Sequence, residues 1–258
     1  MAGMRITLVL GADGASFAHD LAARLGAEDE LTVIAPTVRG HFSVGLQASP
    51  DLDGLLAVGA GTFSIADSLE EIGYIPSWQR ASDQQLAVRL VRTDLVMNGT
   101  SLTDATLAAS GRAALPYRLL PMCEDRAEFR VVVGTDDPRA IHVDEYLDDP
   151  TSHEVTQLLL VAEGISVSPT VSQALLDSDL LVLGPSSRTL AIDPVLRTPG
   201  FLDLIADDLP VLVVEHADTV PADLTRATGL SQPDPGRAEP VPDDAEAVLA
   251  RAHQLVAS

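Results

Sequence analysis

The chain has 258 residues, 46% of them hydrophobic, and carries a formal net charge of −22. Length alone allows one or two domains, and that much apolar material is enough for a large core. The excess of 38 acidic over 16 basic residues argues against nucleic acid and anionic membranes as partners, since both need Lys or Arg to neutralise phosphate.

Arg5–Leu10 is a short apolar run ending at Gly11, the pattern of a buried parallel strand. A small-residue turn, Gly11–Ser16, leads into a helix over Phe17–Leu25, and Leu31–Ala35 reads as the second strand. Ala48–Gly61 holds a helix start, with Ser49 as N-cap, Pro50 at the first helical position, and Asp51 and Asp53 in the first turn. Helices follow over Asp67–Ile72 and Asp83–Asn98, and Ser101 caps another over Leu102–Ser110. Tyr117–Pro121 is a strand. The single cysteine, Cys123, cannot form an internal disulfide and reads as a small core residue in a reducing compartment. Phe129–Val133 and Ala140–Val143 flank an Asp-Asp-Pro turn as a hairpin insertion, and Thr156–Ala162 is a further strand. Ser168 and Pro169 open a helix to Leu176, Leu180–Leu183 is a strand, Pro199–Ile205 is a helix, and Pro210–Val214 is the last buried strand.

This order predicts a single α/β domain over residues 1–258, with a core over 1–228, a Pro- and Asp-rich loop over 229–244 and a C-terminal helix over 245–258. Strands alternating with helices imply a doubly wound, mostly parallel, Rossmann-like sheet with helices on both faces. Ligands then bind beyond the carboxyl ends of the strands. No apolar run reaches the roughly 18–20 residues that span a bilayer, and Met1–Gly11 lacks the layout of a signal peptide. A cytoplasmic protein is therefore expected. The chain contains no Lys, so phosphate has to be held by backbone N–H groups, Arg or a metal ion.

Five stretches, in this order, resemble the 2-phospho-L-lactate transferase family: RITLVLGADGAS, SPDLDGLLAVGAG, SDQQLAVRLVRTDLVMNGTSLTDAT, RLLPMCED and LVLGPSSRTLAIDPVLRTPG. The resemblance covers about residues 4 to 205. It implies transfer of a phospholactyl or phosphoenolpyruvyl group from a guanosine diphospho-linked donor to the deazaflavin FO, assisted by Mg2+. It also implies a chain that could pair with itself. Carried over residue by residue, Gly11, Gly14 and Ala15 match a phosphate-cradling loop. Asp51 and Asp53 match an acidic pair suited to magnesium and to base catalysis. Asp83 matches the first acidic position of a Gly-Asp-Arg-Asp motif, and Gly184, Ser186 and Ser187 match the nucleotide-side loop.

The departures from the family pattern fall on the same loops. Asp13 enters the first loop, where its charge would repel a diphosphate. Pro36–Gly40, with Arg39, replaces a run rich in aspartate. Gln85 replaces an aspartate, Arg89 a histidine, and the family's segment beyond the last strand is largely missing between Glu215 and Asp243. Arg39 reads either as a solvated loop residue or as a direct phosphate contact, and His41 and His216 read as surface residues. Asp51, Asp53 and Asp83 read equally as charges at helix starts, Gly11 and Gly14 as a tight turn, and Ser186 and Ser187 as helix caps. A relative that has lost catalysis and binds a nucleotide or phosphorylated metabolite, as regulator or partner subunit, is the competing reading.

Overall fold

In a computed structural model, residues 3–57, 59, 61–218, 220–228, 235 and 238–256 are described. The strands are β1 (Arg5–Val9), β2 (Glu30–Ala35), β3 (His41–Ser43), β4 (Leu46–Ala48), β5 (Arg118–Pro121), β6 (Ala127–Val133), β7 (Arg139–His142), β8 (Val155–Ala162), β9 (Leu180–Leu183), β10 (Val211–Val214) and β11 (Ala238–Val241). Six of them form a parallel sheet in the order β11-β10-β9-β1-β2-β5. Neighbouring side chains along a strand point to opposite faces, and both faces here are apolar. Ile6 and Leu8, Leu31 and Val33, and Leu180 and Val182 enter one core with the Ala15–Arg24 and Ala245–Val256 helices. Val9, Ile34, Leu181 and Leu183 enter a second core beneath the antiparallel β7-β6-β8 sheet. Residues buried on both sides account for the continuous hydrophobic runs in the sequence.

From β1 the chain winds outward through β2 to β5 and returns through β9 to β10, so the order reverses between β1 and β9. That reversal opens a crevice at the carboxyl ends of the two strands, where the Gly11–Ser16 and Gly184–Ser187 segments lie side by side. Gly184 is needed for the close approach, since a Cβ there would stand 2.5 Å from Leu10 Cδ1 and 3.1 Å from the Val9 carbonyl.

Two expectations are corrected, and two elements appear that were not expected. The helix placed at Pro199–Ile205 lies earlier, over Arg188–Leu196, opening with a π-type turn over Arg188–Ile192, and only a short turn remains at Leu202–Leu204. Its N-cap is Ser187, whose hydroxyl accepts from Leu190 N–H at 3.2 Å. The stretch expected to be loop over 229–244 contains β11, whose Pro240 is tolerated because β11 is an edge strand; residues 229–234, 236 and 237 of that stretch lie outside the described residues. A hairpin, β3-β4, lies in a stretch to which no element was assigned. A short helix, Val143–Asp148, follows β7 directly. Among the described residues no helix is long and apolar enough to cross a membrane.

Candidate active site

Asp51 and Asp53 both lie in the first turn of the Pro50–Leu56 helix, and both are buried. Residues two apart on a helix project in different directions, and the two carboxylates have different surroundings. Asp53 faces the Asp83–Met97 helix, whose inward stripe carries Leu86, Arg89 and Arg92. Arg89 Nε donates to Asp53 Oδ2 at 2.6 Å, and Arg92 Nη2 lies 2.7 Å from Oδ1. The Ser49 N–H also donates to Oδ2, at 3.1 Å. Asp53 therefore closes the start of its own helix from within, in place of the expected Ser49 side-chain cap, which makes no capping hydrogen bond. Asp53 Oδ2 is taken by Arg89 and the Ser49 amide, and Oδ1, which makes no hydrogen bond, lies against the Arg92 guanidinium, so a cation here would meet two fixed positive charges. The donor set of Asp51 and Asp53 does not fit a shared magnesium ion.

Asp51 faces the sheet edge. Its Oδ1 accepts from the Ala12 N–H at 3.0 Å and lies 3.7 Å from Arg39 Nη1, while its Oδ2 is buried with no hydrogen-bond partner. Burial pushes its pKa up to about 6, against the opposing pull of Arg39 and the Ala12 amide. Arg39 is neither a solvated loop residue nor distant from the site. Its Nε donates to Asp144 Oδ1 at 2.7 Å, and its side chain is 27% exposed. Burial alone would lower its pKa, but the Asp51 and Asp144 carboxylates outweigh that and hold it charged. A fixed positive charge thus stands between two carboxylates.

Arg39, Arg89, Ala12, Gln85, Trp78 and Asp144 line an open, largely polar cavity of about 440 Å³ at this edge. Ser77–Gln79 form its rim together with the end of the Val143–Asp148 helix, to which Ser77 Oγ is tied through Asp148. Arg80, also on the rim, is held outward by Asp67 and Glu70. The Nη1 of Arg89 is buried and lacks a hydrogen-bond partner.

The other expected site residues divide. Gly11 donates its N–H to Ser186 Oγ at 3.0 Å, which ties the two loops of the crevice together. Ser187 N–H donates to Asp13 Oδ2 at 3.1 Å, and Arg188 N–H to Asp218 Oδ2 at 3.0 Å. The amides that would cradle phosphate are therefore engaged by the protein's own Ser186, Asp51, Asp13 and Asp218. Gly14 is a packing position, since a Cβ there would stand 2.2 Å from Leu10 Cδ1, and Ala15 is buried at the start of its helix. Asp83 is half-buried and does not line the cavity. It accepts from Thr62 Oγ1 and from the Ser64 and Ile65 amides, which lowers its pKa and secures the start of the Ser64–Glu71 helix. Cys123 is buried, and burial raises its thiol pKa, as befits a core residue.

His41 is buried, contrary to expectation. It packs edge-on against Trp78 and His142, with ring centroids 5.1 and 5.0 Å away, while Trp78 stacks on His142. His216 stays at the surface. Sequence reasoning passed over Asp144, Trp78 and His142. The legible signal for the Asp53 cluster was a helix whose inward face is polar at Arg89, Arg92 and Thr93.

The family model described as 2-phospho-L-lactate transferase CofD matches residues 11–229. A phosphoenolpyruvate transferase of Kitasatospora aureofaciens is 32% identical over 218 residues, covering 78% of this chain and 68% of that protein. Another, from Streptomyces griseus subsp. griseus, is 32% identical over 221 residues, covering 79% and 69%. The fold is similar to a crystal structure of a Bacillus halodurans protein, with a TM-score of 0.58 at 14% identity over 87% of this chain and 75% of that one.

Proposed function

The chain belongs to the 2-phospho-L-lactate transferase CofD family, and from that premise we propose that it transfers a phospholactyl- or phosphoenolpyruvyl-type group from a guanosine diphospho-linked donor to a hydroxyl acceptor such as FO, with guanidinium groups taking the place of magnesium. The names of its relatives supply the reaction class. The observation that carries the reading is Arg39, held between Asp51 and Asp144 at the mouth of the cavity, with Arg89 beside it.

Displacement at phosphorus forms a bond from the acceptor oxygen to phosphorus and breaks the bond to the bridging diphosphate oxygen, which leaves on the nucleoside monophosphate. The acceptor proton needs a base, and the transferring phosphate needs charge neutralisation. Asp51 Oδ2, unpartnered and ionised above about pH 6, is the base in this reading. Arg39 and Arg89 supply the fixed positive charge, and guanidinium suits bidentate phosphate contacts. Trp78 offers an apolar wall to a ring-bearing ligand.

One feature favours a second reading, in which the protein binds such a ligand without turning it over. The amides of the β1 and β9 loops already bond to Asp51, Asp13 and Asp218, which leaves less of the crevice for a diphosphate. The test is thermal stability with GDP, GMP and FO, with magnesium or with a chelator, followed by turnover of the donor and FO. A ligand that binds only the native state raises the melting temperature by mass action. The proposal expects a shift and turnover that survive chelation and weaken in Arg39→Met. A shift without turnover selects the binding-only reading. A shift that appears only with magnesium rejects the guanidinium substitution.

A further inference from the structure

We propose that His41, His142 and Asp144 form a site for a divalent transition cation of the Zn2+ class, in the wall of the same cavity and apart from Asp51 and Asp53. The three residues come from three elements that meet at one point: the start of β3, the end of β7 and the first turn of the Val143–Asp148 helix. All three are buried, and one ligand atom from each lies within 4.8 Å of the other two. Asp144 divides its carboxylate. Oδ1 takes Arg39 Nε, while Oδ2 lies 3.9 Å from His142 Nδ1.

The imidazoles are arranged as ligands. His41 Nδ1 bonds to the Arg39 carbonyl at 3.3 Å, so it carries the proton and Nε2 carries the lone pair. That Nε2 is buried and has no hydrogen-bond partner. A ring nitrogen tied to a backbone carbonyl, with the other free, is how a metal-binding histidine is usually oriented. His142 Nδ1 offers the second lone pair, which now accepts the Asp144 amide at 3.1 Å and which the cation would take instead. Trp78, stacked on His142 at 5.0 Å, fixes the ring plane. Burial keeps His41 and His142 neutral, which is the form that ligates. Ligand atoms around a tetrahedral zinc stand about 3.4 Å apart, so the cluster has only to close slightly on the ion. Two imidazoles and one carboxylate select a transition cation over magnesium. Because His41 and Asp144 also line the cavity, the remaining coordination position opens toward a bound ligand.

The proposal rests on the cluster alone, so it stands or falls independently of the transferase reading. The experiment uses the full chain, stripped with a chelator and dialysed, then titrated with Zn2+ against a chromophoric competitor and with Co2+ followed by visible absorption. One equivalent of Zn2+ is expected, with excess Mg2+ failing to compete. Affinity should fall by about tenfold or more in His41→Phe and in Asp144→Asn, and the Co2+ absorption should be lost in both. His41→Phe keeps a ring against Trp78 and His142 while removing the ligand, and Asp144→Asn carries the test should that variant fail to fold. His253→Ala, at an exposed histidine, should bind as the wild type does. The absence of a stoichiometric Zn2+ site, or equal affinity in His41→Phe and Asp144→Asn, overturns the assignment.

Discussion

Asp51 and Asp53 stand two residues apart in one helical turn, share a motif and are both buried, yet their surroundings give them opposite properties. Asp53 meets Arg89, Arg92 and the Ser49 amide, so its charge is spent on holding two helices together. Asp51 meets one amide and an Arg39 that it shares with Asp144, and its second oxygen has no partner. Burial with countercharge makes a structural ion pair, whereas burial without enough of it raises a pKa and leaves a reactive group. Identity and exposure alone do not separate the two; only the partners do.

The sharpest way to break that contrast is Asp53→Asn. The substitution leaves Arg89 and Arg92 charged and buried against a neutral amide. Removing one partner of a buried pair costs about 3–5 kcal/mol. Chemical denaturation should show a loss of this order. A loss below about 1 kcal/mol would mean that the cluster is not structural.

Asp51→Asn should behave in the opposite way. The folded-state pKa of Asp51 lies above its unfolded value, rising from 3.8 to about 6. The group therefore stabilises the fold below the unfolded value, and that contribution is lost as the pH rises through about 6. One pKa unit corresponds to about 1.4 kcal/mol, so ionising Asp51 in place costs up to about 3 kcal/mol at neutral pH. The variant should match or exceed the wild type in stability at about pH 8, and the wild-type decline between about pH 4 and pH 7 should flatten. Turnover should fall by about a hundredfold or more if Asp51 is the base. A destabilised Asp51→Asn with an unchanged pH profile would place Asp51 in the same structural class as Asp53.

Arg39→Met sharpens the comparison from the other partner. Charge-assisted hydrogen bonds are worth about 1.5–3 kcal/mol, so binding of a phosphorylated ligand should weaken by about 10- to 100-fold. Stability should fall as well, because the buried Asp51 and Asp144 carboxylates lose their shared countercharge, so affinity is compared on folded protein. Arg39→Lys should restore only part of the affinity, since a point charge cannot reproduce the planar fork. Full affinity in Arg39→Met would move the phosphate site away from the cavity.

Much of the fold was legible because the strands of the parallel sheet are buried on both faces and stand out as short apolar runs. The caps at Ser101 and Ser168 could be read for a similar reason, as each side chain accepts the amide three residues on. The β3-β4 hairpin was not legible. It is three residues a side and turns through Val44 and Gly45, both at positive φ, a conformation that a β-branched residue does not advertise. β11 was hidden by Pro240, which only an edge strand accepts. At the site, the sequence marked Asp51, Asp53 and Arg39 but could not divide their roles. Arg39 meets Asp144 across 105 positions and Asp53 meets Arg89 across 36, and such pairings exist only once the sheet has formed.

The smallest effect is expected at Asp13, and it tests whether the crevice between β1 and β9 belongs to the ligand site at all. Asp13 is exposed, and its Oδ2 accepts the Ser187 N–H at 3.1 Å. Asp13→Asn can keep that hydrogen bond through the amide oxygen while removing the charge, so stability should change by less than about 0.5 kcal/mol. If a diphosphate approaches these amides, removing a like charge nearby should tighten binding by about three- to tenfold at low ionic strength. The gain should shrink as salt shortens the Debye length to about 8 Å near 0.15 M. Titration of GDP at two salt concentrations checks both features. Tighter binding that fades with salt would mean that the loops of the reversal point still receive phosphate, despite being bonded to the protein's own carboxylates. Affinity indifferent to Asp13 would confine the ligand to the arginine-lined cavity, so that Asp51 and Arg39, rather than the glycine loop, define the site.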